Sequence, residues 1–168
     1  MKTVLMLGST SDIAKAIIHT YIKEGYGIHL AAKDKDKLID QKKRLEKEFP
    51  GTKIQSTIFD ISNYDKHRTF YDTLSPKPYG VITAIGYLGN SSYNNNTFEE
   101  TKKIIDINYL GNISIFNIIA NDFEKRGSGF MIGISSIAGE RGKKSNYIYG
   151  SAKAGFSTYL SGLRNRLS

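Results

Sequence analysis

Apolar runs of strand length alternate with stretches of helical period along this chain, and that order of elements constrains the fold more than any single motif does. The first run, Thr3 to Leu7, reads as a buried strand. A helix follows from about Asp12 to Glu24, with Ile13, Ala14, Ile17, Ile18, Tyr21 and Ile22 on its buried side and Gly25 to end it. A second strand, Gly27 to Ala32, leads to the charged helix Lys35 to Glu48, whose Leu38 and Leu45, with Phe49, keep one apolar face and which stops at Pro50-Gly51. The third strand is expected over Lys53 to Asp60, then a short helix near Tyr64 to Leu74, the break Ser75-Pro76-Lys77-Pro78, and a fourth strand over Gly80 to Ile85. Beyond the loop Gly86 to Asn96 come a long helix, about Phe98 to Phe123, a fifth strand, Phe130 to Ser135, and a last helix, about Ser145 to Leu167. Strands separated by helices join through right-handed crossovers. The expected fold class is therefore α/β: a doubly wound parallel sheet in a three-layer α/β/α arrangement.

With 168 residues and 39% apolar content, one domain without a linker is expected. There is no cysteine, hence no disulfide framework, which suits a cytoplasmic protein. His19, His29 and His67 lack metal-ligand spacing and are expected at the surface, and no metal is expected. The apolar run after Met1-Lys2-Thr3 is too short for a signal peptide or a membrane span. The net charge is +8, but the lysines are concentrated in Lys33 to Lys47 and interleaved with Asp34, Asp36, Asp40, Glu46 and Glu48. That is a solvated helix face; no nucleic-acid partner is expected, and an anionic small substrate accounts for the excess charge equally well.

In a doubly wound sheet the ligand crevice lies beyond the carboxyl ends of the strands. Gly8-Ser9-Thr10-Ser11-Asp12-Ile13-Ala14 falls there, between the first strand and the first helix. Gly8 permits close backbone approach, the hydroxyls can reach phosphate oxygens, and the helix N-terminus offers free N–H groups, so the segment is a candidate pyrophosphate cradle; Ser11 or Asp12 also serves as a helix cap. It lacks the Gly-Lys-Ser/Thr ending of a P-loop. Lys33 ends the second strand, where dinucleotide folds meet the adenosine ribose, and a base there suits a 2′-phosphate, favouring NADP(H) over NAD(H). Asp60, ending the third strand, is placed to meet the adenine, and Ala84-Ile85-Gly86 admits the cofactor after the fourth.

Tyr149-Gly-Ser-Ala-Lys153 puts a phenol and an ammonium on one helix face, with Ser136 thirteen residues upstream. A fixed cation favours phenolate, which makes a tyrosine a better proton shuttle near neutral pH. Gly150, Ser151 and Ala152 let a flat ligand approach the helix.

Taken in order, the cradle, Asp60, Ser136, Tyr149 and Lys153 resemble the short-chain dehydrogenase/reductase family over essentially the whole chain, with its Rossmann-like fold. The resemblance implies Asn108, in Asp106-Ile107-Asn108-Tyr109, as a fourth catalytic residue beside Ser136, Tyr149 and Lys153. It also implies the activity: hydride from NAD(P)H to a carbonyl carbon, a proton from Tyr149 to the oxygen, and Ser136 holding that oxygen. Lys153 would tune Tyr149 and bond the nicotinamide ribose, and Asn108 would hold a relay water. Narrower likeness lies in Ser135 to Arg141 and the Gly86-Tyr87-Leu88-Gly89 loop, similar to decaprenylphosphoryl 2-keto-pentose reductases and related cell-envelope sugar reductases. That implies a keto-sugar substrate, phosphorylated or linked to a nucleotide or lipid, with Arg141, Lys143 and Lys144 meeting its phosphate.

Two departures from the family pattern stand out. Asp12 and Ala14 replace the later glycines of the cradle, and Asp12 is tolerable there if it turns inward to cap backbone N–H groups. The family also continues past the Tyr-Lys helix into further strands and a lid, so the last strands are expected to be absent from this chain. Alternatives remain a dinucleotide-binding sensor or scaffold without catalysis, and a sugar-nucleotide epimerase or dehydratase. By analogy with the family, the two long helices pair across a two-fold axis in a homodimer or homotetramer.

Overall fold

Alternation along β1 (Thr3–Leu7) divides the hydrophobic core in two. Leu5 and Leu7 face one side of the sheet, with Val81, Phe70, Phe116, Ile119 and Phe156, whereas Val4 and Met6 face the other, with Ile18, Leu30, Leu38, Leu45 and Ile82. A strand packed on both faces needs apolar residues at every position, which is why β1 and β2 (Gly27–Ala32) are buried throughout. The structure is a computed structural model and describes residues 1–89 and 97–168; part of the predicted loop Gly86 to Asn96 lies outside them.

The sheet has five parallel strands in the order β3-β2-β1-β4-β5, with β3 at Ile54–Ile58, β4 at Gly80–Thr83 and β5 at Phe130–Gly133. The order reverses at β1, so the crevice between the ends of β1 and β4 is the topological switch point at which ligands settle in such sheets. Helices α1 (Asp12–Lys23) and α2 (Lys35–Glu48) cover one face. On the other lie α3 (His67–Thr73), α5 (Gly111–Arg126) and α6 (Tyr147–Leu167), with α4 (Phe98–Ile105) preceding α5.

Four sequence expectations change. The helix predicted over Phe98 to Phe123 is divided by a π-helical segment, Asp106–Leu110. Its cause is local: the Asn108 amide donates to the Ile104 carbonyl at 2.8 Å, and the Asn112 amide donates to Ile107 and Asn108, so side chains take carbonyls within the widened turn. Gly111 then lets the helix press against the chain at Ile61, where a Cβ would stand 2.6 Å from the carbonyl oxygen. Two of the three histidines are buried, not superficial: His29 Nε2 bonds Thr57 Oγ1 at 2.8 Å, and His67 Nδ1 bonds Ser114 Oγ at 2.9 Å. Burial pushes the His29 pKa down to about 4. Ile13 is 58% exposed, whereas Ala14 beside it in the first turn of α1 is the residue that faces the core. The third, fourth and fifth strands end two residues earlier than their apolar runs, where the chain leaves the ladder to build loops.

Candidate active site

Gly8 turns the chain out of β1 with φ +78°, a left-handed conformation that glycine adopts without steric cost. A Cβ there would stand 2.8 Å from Ile85 Cγ1 and 3.0 Å from Ile85 N, so the loop after β1 lies directly against the one after β4. The Gly8 and Ser9 N–H groups both donate to Ala31 O, at 2.8 and 3.1 Å, which lays the loop over the end of β2. Ser9 is buried, and α2 holds it twice: its hydroxyl donates to Gln41 Oε1 at 3.0 Å, and Gln41 Nε2 donates to its carbonyl at 2.7 Å. Ser11 caps α1 by accepting the Ala14 N–H at 3.2 Å. Asp12 does not turn inward as the departure from the family pattern required. With the cap position filled by Ser11, its carboxylate stands 97% exposed and pairs with Lys15 at 2.8 Å.

Two of the catalytic candidates, Asn108 and Lys153, meet beside this loop. A Cβ at Gly86 would lie 3.3 Å from Asn108 Oδ1 and 3.7 Å from Lys153 Nζ, which places Gly86, Asn108 and Lys153 around one point. Both ends of the Asn108 amide are engaged, for Oδ1 accepts the Tyr87 N–H at 3.0 Å and Nδ2 donates to the carbonyls of Tyr87 and Ile104. Asn108 is thus a clamp on the loop after β4. Behind it, Asn112 accepts from Thr83 Oγ1 at 2.7 Å, extending the polar network to the end of β4.

Lys153 is buried, donates to Ile134 O at 3.0 Å, and lies 5.8 Å from the centroid of the Tyr149 ring. Burial lowers its pKa from the usual lysine value to about 8. The folded state therefore binds fewer protons at this group than the unfolded chain between about pH 8 and pH 10.5, and the contribution of Lys153 to stability rises with pH across that window. Urea unfolding is expected to show this rise in the native protein relative to Lys153→Met, with the two curves running parallel below about pH 7.

Ser136 opens a 3-10 turn, Ile137–Gly139, and accepts the Ala138 N–H at 3.1 Å, and its hydroxyl hydrogen has no acceptor among the described residues. Two glycines press this turn onto α6. A Cβ at Gly150 would meet Ala138 O at 2.5 Å, and one at Gly139 would meet Ala154 N at 2.8 Å. Gly150→Ala is accordingly expected to lower stability by about 1–3 kcal/mol, read as a fall in the urea midpoint without a change in slope, and to push the Ile137–Gly139 turn off α6.

Lys33 and Asp60 stand apart from this cluster, at the ends of β2 and β3, and pair with each other at 2.8 Å. Burial raises the Asp60 pKa, but the Lys33 ammonium and the Ser62 N–H outweigh it, so the carboxyl titrates below its ordinary value. Sequence reasoning missed Gln41, Asn112 and the Tyr87 backbone. Gln41 lies within a charged helix and has no distinguishing neighbour; Asn112, four residues after Asn108, was the one legible signal.

A profile of the short chain dehydrogenase family matches residues 2–168. The chain belongs to that family. Among curated proteins it is 28% identical over 167 residues to an uncharacterized oxidoreductase of Mycobacterium tuberculosis, covering 98% of this chain and 66% of that one. An uncharacterized oxidoreductase of Streptomyces coelicolor is 26% identical, with 99% and 66% covered. The chain thus spans about two thirds of the length of these relatives. Among solved structures, a short-chain dehydrogenase of Sphingobium yanoikuyae in complex with NADPH superposes with a TM-score of 0.90 at 22% identity, over 99% of this chain and 66% of that one. NAD+-bound xylitol dehydrogenase gives 0.91 at 18% identity, over 99% and 65%. At such identities the likeness establishes the shared short-chain dehydrogenase fold. Among the described residues no helix is long and apolar enough to cross a membrane.

Proposed function

We propose that this short-chain dehydrogenase works as a carbonyl reductase that takes NADP(H) in preference to NAD(H). The observation that carries the reading is the buried Lys153 ammonium held between Gly86 and the Tyr149 ring at the switch point of the sheet. The residues suit a dinucleotide: without a Cβ, Gly8 lets the loop after β1 lie against Ile85 at the switch point, and Ser9, Thr10, Ser11 and Ile13 carry that loop into the N-terminus of α1. When bound, the nicotinamide supplies or accepts the hydride.

The residues of the chain do the rest. Tyr149 gives its phenolic proton to the carbonyl oxygen, and Ser136, whose hydroxyl hydrogen is uncommitted, donates a hydrogen bond to the same atom. Lys153 favours the phenolate that remains and offers a donor to the nicotinamide ribose. Asn108 fixes Ala84-Ile85-Gly86 against Lys153 through its Tyr87 bonds. With its amide engaged, any water of a proton relay would be held by its backbone carbonyl.

The substrate in this reading is a keto-sugar bearing a phosphate, nucleotide or lipid-phosphate group. Its support is the stretch Ser135 to Arg141 and the exposed basic turn of Arg141, Lys143 and Lys144 ahead of α6. We place the protein in the cytoplasm and expect pairing of two copies through the faces of α4, α5 and α6. Loss of NADPH absorbance in the presence of phosphorylated keto-sugars tests the reaction. Turnover is expected; tight NADPH binding without turnover on any carbonyl panel would instead favour a dinucleotide sensor.

A further inference from the structure

We infer that Tyr87, with its side chain anchored on α4 by Glu100 and Lys103, is a positioning residue for the active site: it sets how the loop after β4 places Gly86 against Lys153. The inference rests on the reductase reading above, in which Lys153 acts. Asn108 grips Tyr87 at two backbone atoms, accepting its N–H at 3.0 Å and donating to its carbonyl at 2.7 Å. Those two bonds alone would leave the loop free to rotate about the line between the two atoms. The side chain removes that freedom. Its hydroxyl donates to Glu100 Oε1 at 2.7 Å, and Lys103 Nζ lies over its ring, 4.4 Å from the centroid.

Helix α4 presents both anchors from one face. Glu100 and Lys103 are three residues apart, so a single turn brings them together. Glu100, Ile104 and Asn108 follow at steps of four, and the Ile104 carbonyl takes the Asn108 amide at 2.8 Å. Thr97 caps the helix by accepting the Glu100 N–H at 3.3 Å, which fixes the backbone from which Glu100 reaches.

The loop lies close along this face. Gly89 takes φ +85°, and a Cβ there would stand 2.6 Å from Ile104 Cδ1. On the other side of Tyr87, the Cβ position of Gly86 is 3.3 Å from Asn108 Oδ1 and 3.7 Å from Lys153 Nζ. A turn of the Tyr87 peptide is therefore passed directly to Gly86 and opens a path for water to Lys153, whose burial holds its pKa at about 8.

The test pairs two readings of the same variants. NMR of lysine-labelled protein, with the Lys153 signal assigned by its loss in Lys153→Met, follows the ammonium titration without any substrate; NADPH oxidation by phosphorylated keto-sugars follows turnover. Tyr87→Phe keeps the ring and removes the bond to Glu100, Glu100→Ala removes it from the other side, and Glu100→Gln keeps an acceptor oxygen while removing the charge. Tyr87→Phe and Glu100→Ala are each expected to raise the Lys153 midpoint by about half a unit or more, and to lower kcat about tenfold with KM within about twofold. Loss of the Glu100 charge alone would move the midpoint down, so Glu100→Gln, close to native in both readings, separates the bond from the charge. Because both single variants break one bond, the double variant should be no worse than either.

The proposal is overturned if Tyr87→Phe and Glu100→Ala keep the native midpoint and kcat, including the case in which only their urea midpoints fall. It is overturned too if the losses add in the double variant. Shifted Lys153 midpoints in a protein that turns over no carbonyl would remove the reductase reading and leave the anchor standing.

Discussion

Tyr149→Phe is expected to lower carbonyl reduction about a thousandfold and to leave NADPH affinity within about twofold. The phenolic oxygen is the only group removed, and in the structure it has no protein partner among the described residues, so the fold does not depend on it. The ring remains over Lys153, whose ammonium lies 5.8 Å from its centroid and is held separately by Ile134 O. In the proposed reaction what disappears is the proton donor, an interaction made only as charge develops on the substrate oxygen, so the loss should fall on kcat and kcat/KM together. Steady-state kinetics and NADPH titration on the same preparation read the two halves of this expectation. Turnover within about tenfold of the native rate would remove Tyr149 from the reaction.

Gly8→Val should weaken NADPH binding by about 100-fold or more and destabilise the fold by about 2–4 kcal/mol. Two effects combine. At φ +78° a β-branched residue is strained, and its Cβ would stand 2.8 Å from the Ile85 side chain and 3.0 Å from Ile85 N. To relieve the clash with Ile85, the loop after β1 would have to leave its bonds to Ala31, carrying Ser9 away from Gln41 and shifting the proposed cradle. Gly8→Ala, with less bulk and the same strain, should show an intermediate loss in both urea unfolding and NADPH titration. An unchanged affinity in Gly8→Val would place the pyrophosphate elsewhere.

Sequence and structure agree best where burial dictates composition. The bounds of β1, β2 and α2 match the apolar pattern because strands packed on both faces are almost wholly apolar, with His29 bonded to Thr57 as an exception, and α2 has charge on every face but one. Apolar content misled where it continued past the ladder, as at Ala84 and Ile85, which leave β4 to line the crevice. The π-helical segment was not legible, since an asparagine in a helical pattern does not reveal that its amide will take a carbonyl of its own helix, as Asn108 and Asn112 do. Burial of His67 likewise follows from tertiary contact with α5, which spacing along the chain does not encode.

At the site, Tyr149 and Lys153 were legible because one helical turn determines their separation. The packing of the turn that follows Ser136 against their helix was not, for it depends on Gly139 and Gly150 admitting backbone contact between a turn and a helix. The outward turn of Asp12 followed from competition with Ser11 for one cap, and Gln41 became visible only through its two bonds to Ser9.

Transfer of deuterium from NADPH labelled at the hydride-bearing nicotinamide carbon, followed by mass spectrometry of the sugar product, tests carbonyl reduction most directly. Reduction predicts one deuterium on the new carbinol carbon for each NADPH consumed, and no labelled product from Tyr149→Phe. An isomerised or dehydrated sugar formed without net consumption of NADPH, or an alcohol free of deuterium, would contradict it.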